Sequence, residues 1–503
     1  YAVNTAGSIL GSFVTGFFLV TALGTQNSLG LMALLGALLA AAAVMIATVA
    51  DKPFKSIKAG GRTSAGYAAG YGFFALPLLV AMMVTALPRG YLFDYYNIGE
   101  KRHDRTAVID YAKEGIEGIT TVHHFADGNR VISTGSINVA GTAFTLRTTQ
   151  KLQAHIPMLL HPKPRLVCQI GFGSGETSRI LLTYGIERLD LVEISRSVIE
   201  TSDRHFRDIN GGVAGHPRFK AIIMDGANYF RVTRQNYDVI MNDSIWPYYA
   251  GNSGLYTKEY FAAAKSRLKK NGIMTSWVPV DMDLESLVSL LKTFGSEFPY
   301  VGFWFATNHE NLHALVAGSL APMTVDPAVF VRRFDSHARG DLTEIGYATP
   351  AMFLDIYKFD RTAVDAMEWD VPLHTEDRPW LEYALSRTTM HDMENSLTLV
   401  RLYRQRAETL VNGAGTPAAA ALRAGTASFY EATGHVLAGM VRSARLDPGY
   451  LEEYRKALLL RPDYPGISRR VNGDKSPDTG DVSDPVSYTH LRAHETVLDL
   501  VCR

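Results

Sequence analysis

The first 50 residues of this 503-residue chain contain no Asp, Glu, Lys or Arg, although these four types make up 20% of the whole. Three apolar stretches without charges lie in and just after this region, at 6–24, 29–50 and 65–88. About 20 helical residues, rising 1.5 Å each, cross a hydrocarbon core of roughly 30 Å. We therefore predict three transmembrane helices within residues 1–90 and a protein integral to a membrane, namely a bacterial inner membrane, in contact with its lipid.

The first residue is Tyr1 rather than Met, from which we expect a fragment of a larger helical bundle. Four Lys or Arg residues lie on each side of the third stretch, so the charge bias does not decide which side faces the cytoplasm. Lys plus Arg and Asp plus Glu both total 50, and a net charge of zero provides no global field that attracts nucleic acid. We expect no nucleic-acid partner. The sequence does not determine the oligomeric state, and a homo-oligomer is one possibility.

From residue 166 the apolar runs alternate between strand-like and helix-like lengths, an order typical of a doubly wound α/β fold with a mainly parallel, Rossmann-like sheet. We predict five strands at 166–170, 189–194, 219–224, 237–242 and 273–278. The predicted helices are 176–184, 197–209, 258–270 and 284–294, with a short turn after Gly226. An antiparallel pair is predicted at 300–305 and 312–318, and short hairpin strands at 119–145.

A glycine-rich turn follows the first predicted strand and holds Gly171, Gly173 and Gly175. Such a turn allows backbone N–H groups and a helix N-terminus to approach a ligand, but alone it indicates tight packing just as often. Glu193 ends the second strand, 22 residues after Gly171, where a carboxylate can accept hydrogen bonds from both hydroxyls of a ribose. Together these features favour an adenosine-bearing ligand.

Two more acids follow predicted strands. Asp225, with Gly226 next to it, comes after the third strand, and Asp243 comes after the fourth. Parallel sheets bind ligands at the carboxyl edge of their strands, so we predict that both acids lie at the site with Glu193. The alternative for each one separately is a helix cap or a solvated loop residue.

These segments together resemble the spermidine synthases, which are polyamine aminopropyltransferases. The matching segments are AHIP at 154–157, HP at 161–162, IGFGSG at 170–175, LVEI at 191–194, DG at 225–226, YDVI at 237–240 and LYTKEYF at 255–261. The apolar start at 4–11 and the segment TEDRPWLEY at 375–383 are similar to the membrane-fused spermidine synthase-like proteins, which carry a helical bundle before the enzyme domain.

The resemblance implies a class I S-adenosylmethionine fold preceded by a small β domain. It implies that Gly171, Gly173 and Gly175 surround the co-substrate, that Glu193 binds its ribose, that Asp225 with Gly226 binds its adenine, and that Asp243 is the catalytic acid. The implied reaction moves an aminopropyl group from decarboxylated S-adenosylmethionine, or a relative such as S-adenosylmethionine, to a small-molecule amine by direct displacement, with no metal. Such a domain faces the cytoplasm.

Several positions depart from the family's pattern. Trp246 stands where a second Asp is usual, Ser174 replaces an Asp in the glycine turn, and Thr149-Gln150-Lys151 replaces Tyr-His-Glu. A buried ammonium without a counter-charge is costly, so we expect an acceptor other than putrescine. Trp246, Tyr248 and Tyr249 either hold a cation by their ring faces or pack in the core.

Two other functions remain open at this point. One is a methyltransferase that uses intact S-adenosylmethionine, and the other is a nucleoside-binding membrane sensor without catalysis. The pattern His309-Glu310-Asn311-Leu312-His313 fits a zinc protease, but strand-like runs flank it, so the two imidazoles would not share a helical face. We predict six regions: transmembrane helices 1–90, a linker and small β domain 91–150, the Rossmann-like domain 151–320, an extension 321–398, a tetratricopeptide-like helical part 399–472, and a disordered tail 473–503 whose end is non-native.

Overall fold

The computed structural model describes residues 1–50, 78–84, 86–88, 90–93, 105–115, 117–135, 137–249, 251–309, 313–389, 391–413 and 415–472. The predicted tail 473–503 and most of the third apolar stretch lie outside these residues. The chain divides into two compact units. The N-terminal unit comprises Tyr1–Thr121 and Thr134–Ser136, and the C-terminal unit comprises Val122–Ser133 and Ile137–Arg503.

The N-terminal unit begins with two apolar helices, α1 (Ala2–Leu23) and α2 (Thr25–Ala50). Both are long and apolar enough to cross a membrane. None of the apolar window of α1 is buried in protein, unlike the core helix of a soluble domain. Gly24 separates the two helices with φ at +80°, and the Glu114 carboxylate accepts a hydrogen bond of 2.6 Å from the Thr25 N–H at the start of α2.

A small sheet of four strands, in chain order, follows. Its strands are β1 (Val108–Gly115), β2 (Gly118–His124), β3 (Arg130–Thr134) and β4 (Ile137–Gly141). The strand prediction for 119–145 is wrong at its end, because Phe144 begins helix α3 (Phe144–Leu160). Twelve of the 17 residues of α3 are buried, so packing rather than the local Thr and Phe content decides its conformation.

The C-terminal unit contains the predicted doubly wound sheet, with eight strands in the order β12-β10-β11-β9-β8-β5-β6-β7. The strands β5 to β9 pair in parallel, and β9-β11, β11-β10 and β10-β12 pair antiparallel. The strands are β5 (Leu166–Ile170), β6 (Arg188–Glu193), β7 (Phe219–Ile223), β8 (Tyr237–Asn242), β9 (Leu268–Pro279), β10 (Tyr300–Phe305), β11 (His313–Ser319) and β12 (Tyr357–Asp360).

Helices connect these strands and cover both faces of the sheet. They are α4 (Glu176–Thr183), α5 (Arg196–His205), α6 (Arg207–Asn210), α7 (Gly226–Val232), α8 (Lys258–Lys265) and α9 (Leu284–Glu297). The predicted helix 258–270 ends at Lys265 because Leu268 already pairs with Tyr237 of β8. The predicted helix 197–209 breaks at Phe206, whose ring is fully buried.

Short helices follow the sheet, and their bounds are α10 (Pro327–Arg333), α11 (Arg339–Glu344), α12 (Pro350–Leu354), α13 (Arg361–Asp365), α14 (Asp392–Leu402), α15 (Pro417–Ala427), α16 (Tyr430–Ala444), α17 (Tyr450–Leu460) and α18 (Ile467–Asn472). A Cβ added at Gly439 of α16 would lie 2.4 Å from the Tyr454 ring of α17. These two helices therefore pack closely, and the structure gives the 399–472 region the helical character that its sequence predicts.

Candidate active site

The glycine turn after β5 requires glycine at positions 171, 173 and 175. Gly171, Gly173 and Gly175 have φ angles of +87°, +54° and +84°. A Cβ on Gly171 would lie 2.3 Å from the backbone oxygen of Asp243, and one on Gly175 would lie 2.7 Å from the Phe172 ring. The positive φ angles and the close packing against the protein's own atoms therefore both require glycine at these positions.

Glu193 ends β6 with its carboxylate directed at the turn. One oxygen accepts a hydrogen bond of 2.9 Å from the N–H of Phe172, and the other accepts one of 2.9 Å from the N–H of Ser195. The side chain is buried. Glu193, the residue predicted to bind the ribose, therefore lies against the glycine turn.

Asp225 follows β7 and forms the N-cap of α7. Its carboxylate accepts a hydrogen bond of 2.8 Å from the Asn228 N–H. One of its oxygens therefore caps the helix, which was the alternative role for this residue. A Cβ on Gly226 would lie 2.7 Å from the side chain of Ile170, the last residue of β5. The start of α7 therefore packs against the strand that leads into the glycine turn.

Asp243 follows β8 at the point where the connections of the sheet diverge. Its N–H donates to the Ile170 oxygen at 3.0 Å, and β5 and β8 are neighbours whose connections run to opposite sides. Open α/β sheets bind their ligands in the crevice at such a switch point. Gln153 Nε2 of α3 donates to Asp243 Oδ1 at 2.7 Å.

The surroundings of Asp243 favour its protonated form. Burial, which is the main cause, and the negative charge of Glu193 raise the pKa of the Asp243 carboxyl to about 7 against the opposing effect of the hydrogen bond from Gln153. A carboxyl that titrates near neutral pH can take up a proton during a reaction and release it afterwards. Asp243 is therefore suited to act as a general base.

The aromatic residues after Asp243 are packed rather than open. Trp246 and Tyr248 are 4% and 8% exposed, and the Trp246 ring meets the Trp277 ring edge to face at 5.0 Å. The Trp246 indole N–H donates to Asp281 Oδ1 at 3.1 Å. Asp281 follows β9 at the same edge of the sheet. It was not predicted as a site residue, although it is an acid just after a predicted strand, the same reason for which Asp243 was chosen.

The positions that depart from the family's pattern are occupied by an internal network. Ser174 is fully buried and donates to Gln150, whose amide donates in turn to the Gly141 oxygen at 3.0 Å. Lys151 is also fully buried, with its Nζ 3.0 Å from Asp341 and 2.9 Å from Glu344 of α11. The extension after the sheet thus supplies the counter-charges for Lys151.

The same network fixes the ionisation of Asp341. Burial alone would raise the pKa of this carboxyl, but His155, Lys151 and Arg179 together hold it well below its usual range. Arg179 Nη2 lies 3.0 Å from Asp341, and His155 Nε2 lies 3.5 Å from it. Helix α11 is therefore joined to α3 and α4, the two helices that flank the glycine turn.

The Thr-Glu-Asp-Arg-Pro segment packs beside the loop that follows Asp243. His374, just before it, is fully buried; its Nε2 donates to the Ser253 oxygen at 2.9 Å and its Nδ1 accepts from the Leu381 N–H at 3.2 Å. Glu376 contacts Arg231 of α7. The segment therefore ties the loop after β8 to the helices next to it.

The His309-to-His313 pattern does not form a helical pair of ligands. His309 is buried against the Phe144 ring, and His313 begins strand β11 and pairs with Pro279. Residues 310–312 lie outside the described part of the chain. Two His side chains four residues apart bind zinc together on a helix, and the backbone at His313 is a strand instead.

A sequence profile of the spermine/spermidine synthase domain family matches residues 147–337. Within these residues the chain is similar to the spermine/spermidine synthase domain. This domain begins in α3, includes the glycine turn, Glu193, Asp225 and Asp243, and ends before α11. The resemblance drawn from the sequence is confirmed, and so is the Rossmann-like fold class.

Two relatives give the extent of the similarity. A polyamine aminopropyltransferase of Korarchaeum cryptofilum is 28% identical over 235 residues, which are 45% of this chain and 70% of that protein. A polyamine aminopropyltransferase of Thermotoga maritima is 32% identical over 174 residues, 30% of this chain and 58% of that protein. The crystal structure of spermidine synthase from Thermotoga maritima is 24% identical, with a TM-score of 0.38, and the match covers 45% of this chain and 78% of that one.

Proposed function

We propose that the spermine/spermidine synthase domain transfers an aminopropyl group from decarboxylated S-adenosylmethionine to an amine acceptor. The observation that carries this proposal is the position of Asp243, a partly buried carboxyl beside the glycine turn at the switch point between β5 and β8. The names of the two relatives support the same reaction.

The donor's adenosine would bind at the glycine turn. The buried Glu193 carboxylate would accept from the ribose hydroxyls, and Asp225, whose Oδ1 accepts from the Asn228 N–H, would accept from the adenine amine through Oδ2. The positive φ angles of the three glycines form a tight turn whose backbone N–H groups would face the ligand. Remote contacts of this kind hold the reacting carbon in line with the attacking nitrogen.

Asp243 would act on the acceptor. The nitrogen lone pair attacks the carbon next to the donor's sulfonium, the carbon–sulfur bond breaks, and its electron pair stays on sulfur as a neutral thioether. The new secondary ammonium then gives its proton to the Asp243 carboxylate. Because the pKa of Asp243 lies at about 7, the carboxyl is ionised in a large fraction of molecules at neutral pH and can accept that proton.

We further propose that α1 and α2 anchor the domain to a membrane. Their length, apolar composition and exposure support this anchoring. The enzyme domain would then face the cytoplasm, where an adenosine-based donor is made.

The test is product identification with the full chain in lipid nanodiscs. The protein is incubated with donor carrying ¹³C in its aminopropyl group, with S-adenosylmethionine carrying ¹³C in its methyl group, and with a panel of mono- and diamines. Mass spectrometry should find the aminopropyl label on an amine, together with the neutral thioether nucleoside. A methyl label on the acceptor would establish the methyltransferase instead, and donor binding without any product would favour the sensor.

A further inference from the structure

The side-chain amide of Gln153 donates to Asp243 through its nitrogen, whereas its oxygen has no hydrogen-bond partner among the described residues. Its Nε2 donates to Asp243 Oδ1 at 2.7 Å, and its side chain is only 2% exposed. Its Oε1 is buried and has no hydrogen-bond partner among the residues that the structure describes. The fixed donor at Nε2 decides the orientation of the amide, so the lone acceptor is the oxygen.

An unsatisfied buried carbonyl oxygen costs roughly 1–3 kcal/mol, and structures normally satisfy it with a ligand or water. The two ends of one amide are joined to the same carbon, so Oε1 lies next to the Asp243 carboxylate. Both groups accept hydrogen bonds. A ligand that fits this pair must therefore bring two donors on one atom or on adjacent atoms.

We infer that Gln153 is a specificity-determining residue that, with Asp243, selects a primary amine as the acceptor; this rests on the proposed aminopropyl transfer. A neutral primary amine has two N–H groups and one lone pair. One N–H donates to the Asp243 carboxylate, the other donates to Gln153 Oε1, and the lone pair stays free to attack. After attack, the nitrogen loses a proton to Asp243, as the proposed reaction requires.

A secondary amine has only one N–H before it reacts. If it donates to Asp243, Gln153 Oε1 stays unpaired; if it donates to Gln153, the base is left without its substrate proton. The cost of one unpaired buried acceptor corresponds to roughly a 10- to 100-fold preference for the primary amine. A purely structural role for Gln153 would lower the activity toward both amines by the same factor.

The experiment compares 1-aminobutane with its N-methyl derivative, in which the nitrogen is secondary; a monoamine avoids the second ammonium for which the family's usual counter-charges are replaced. The ratio of their kcat/KM values is measured for the full-length protein, for Gln153→Leu and Gln153→Met, and for the control Gln235→Leu. Gln235 precedes β8 and contacts Arg188 at 2.9 Å, away from the sheet edge where Asp243 lies. The two Gln153 substitutions remove the amide at similar volume, so at least one folded variant is expected.

The wild type and Gln235→Leu should prefer the primary amine by roughly 10- to 100-fold, and the Gln153 variants should bring the ratio to within about 3-fold. A ratio that is unchanged in a folded Gln153 variant, or no preference in the wild type, would overturn the inference.

Calorimetry separates this result from a failure of the proposed function. Each amine is titrated into the wild type and into Gln153→Leu, both saturated with 5′-methylthioadenosine, the neutral thioether left after transfer. At neutral pH both free amines are ammonium ions with at least two N–H groups, so the quantity compared is the affinity of the two proteins for the primary amine. Tighter binding to the wild type than to Gln153→Leu, without any turnover, would support the role of Gln153 and refute aminopropyl transfer. Equal binding to the two proteins would refute the role of Gln153, whatever the turnover.

Discussion

The backbone oxygen of Asp243 lies 2.3 Å from the point that a Cβ on Gly171 would occupy. The Asp243 N–H also donates to the residue just before that glycine, Ile170, at 3.0 Å. The glycine turn and the proposed catalytic base are thus one structural unit. Any residue with a side chain at position 171 must displace Asp243, and this links the packing of the turn to the chemistry.

Gly171→Ala should therefore impair catalysis much more than the backbone strain alone explains. The matched control is Gly185→Ala, where φ is also positive, at +70°, but a Cβ would meet nothing within 4 Å. We expect Gly185→Ala to cost about 1 kcal/mol of stability and to keep kcat, whereas Gly171→Ala lowers kcat/KM by at least about 100-fold. Steady-state kinetics measures kcat/KM and urea unfolding measures the stability of the two variants. Equal activity of the two would show that the close contact between position 171 and Asp243 has no catalytic role.

The pH dependence of the reaction should report Asp243. The general base must be ionised, and burial raises the pKa of its carboxyl to about 7, so log kcat/KM should rise with pH and its slope should decrease above about 7, where only the deprotonation of the free amine still contributes. The measurement is a pH–rate profile of the wild type at saturating donor. In Gln153→Leu the hydrogen bond that opposes the raised pKa is lost, so the rise should move to higher pH. A rise centred near pH 4 would mean that Asp243 is an ordinary exposed carboxyl.

Asp243→Asn should abolish turnover and stabilise the fold. Loss of a general base lowers kcat by roughly 10²- to 10⁴-fold. The pKa in the folded protein is above the unfolded value of about 3.9, so ionisation of Asp243 destabilises the fold as pH rises through about 7. Asparagine does not ionise; the Tm of the variant should exceed that of the wild type by at least about 2 °C at pH 8 and match it at pH 4. An equal Tm at pH 8 would contradict the raised pKa.

His374 should act as a positioning residue for the loop after Asp243. His374→Ala would leave the Ser253 oxygen and the Leu381 N–H unpaired in the interior, at roughly 1–3 kcal/mol each. We expect KM for the amine to rise about 10-fold while the calorimetric affinity for the donor stays the same. His391→Ala, at a side chain that is 71% exposed, is the control and should change neither quantity. Equal loss of donor and amine binding would indicate general unfolding instead.

Lys151→Met should destabilise the protein strongly. The substitution removes the buried ammonium that lies within 3.0 Å of Asp341 and Glu344. Arg179 still faces Asp341, and Arg147 still faces the half-exposed Glu344, so we expect a cost of about 2–3 kcal/mol. Arg165→Met breaks the contact with Glu187 between two largely exposed side chains and should cost less than about 1 kcal/mol. Urea unfolding of both variants gives the comparison, and similar small losses would show that the network of α3, α4 and α11 is not closed to solvent.

The sequence predicts best what depends on neighbours along the chain. The strands 166–170 and 237–242 match β5 and β8 because each is a short apolar run with turn residues on both sides. The strand-end rule also brings Glu193 and Asp243 to the glycine turn, since parallel strands end at one edge. In contrast, β1 was not predicted, because its sequence VIDYAKEG has too weak an alternation to stand out.

The features of the site that could not be predicted from the sequence are contacts between residues that are distant along the chain. Gln153 and Asp243 are 90 residues apart, and Lys151 and Asp341 are 190 apart, so no local period indicates that either pair meets. Ser174 and Lys151 were interpreted as a loss of acidic groups from the substrate side. The structure shows that Lys151 is neutralised by acids from the extension and that Asp281 adds a carboxylate beside Trp246.

The most direct measurement is a calorimetric titration of the full chain with decarboxylated S-adenosylmethionine, repeated for Glu193→Gln. The crevice beside the glycine turn should bind one donor per chain, and the substitution, which removes the charge that would bind the ribose, should weaken that binding at least about 10-fold while the fold is kept. No heat of binding for the wild type, or equal affinities for the two proteins, would contradict the account.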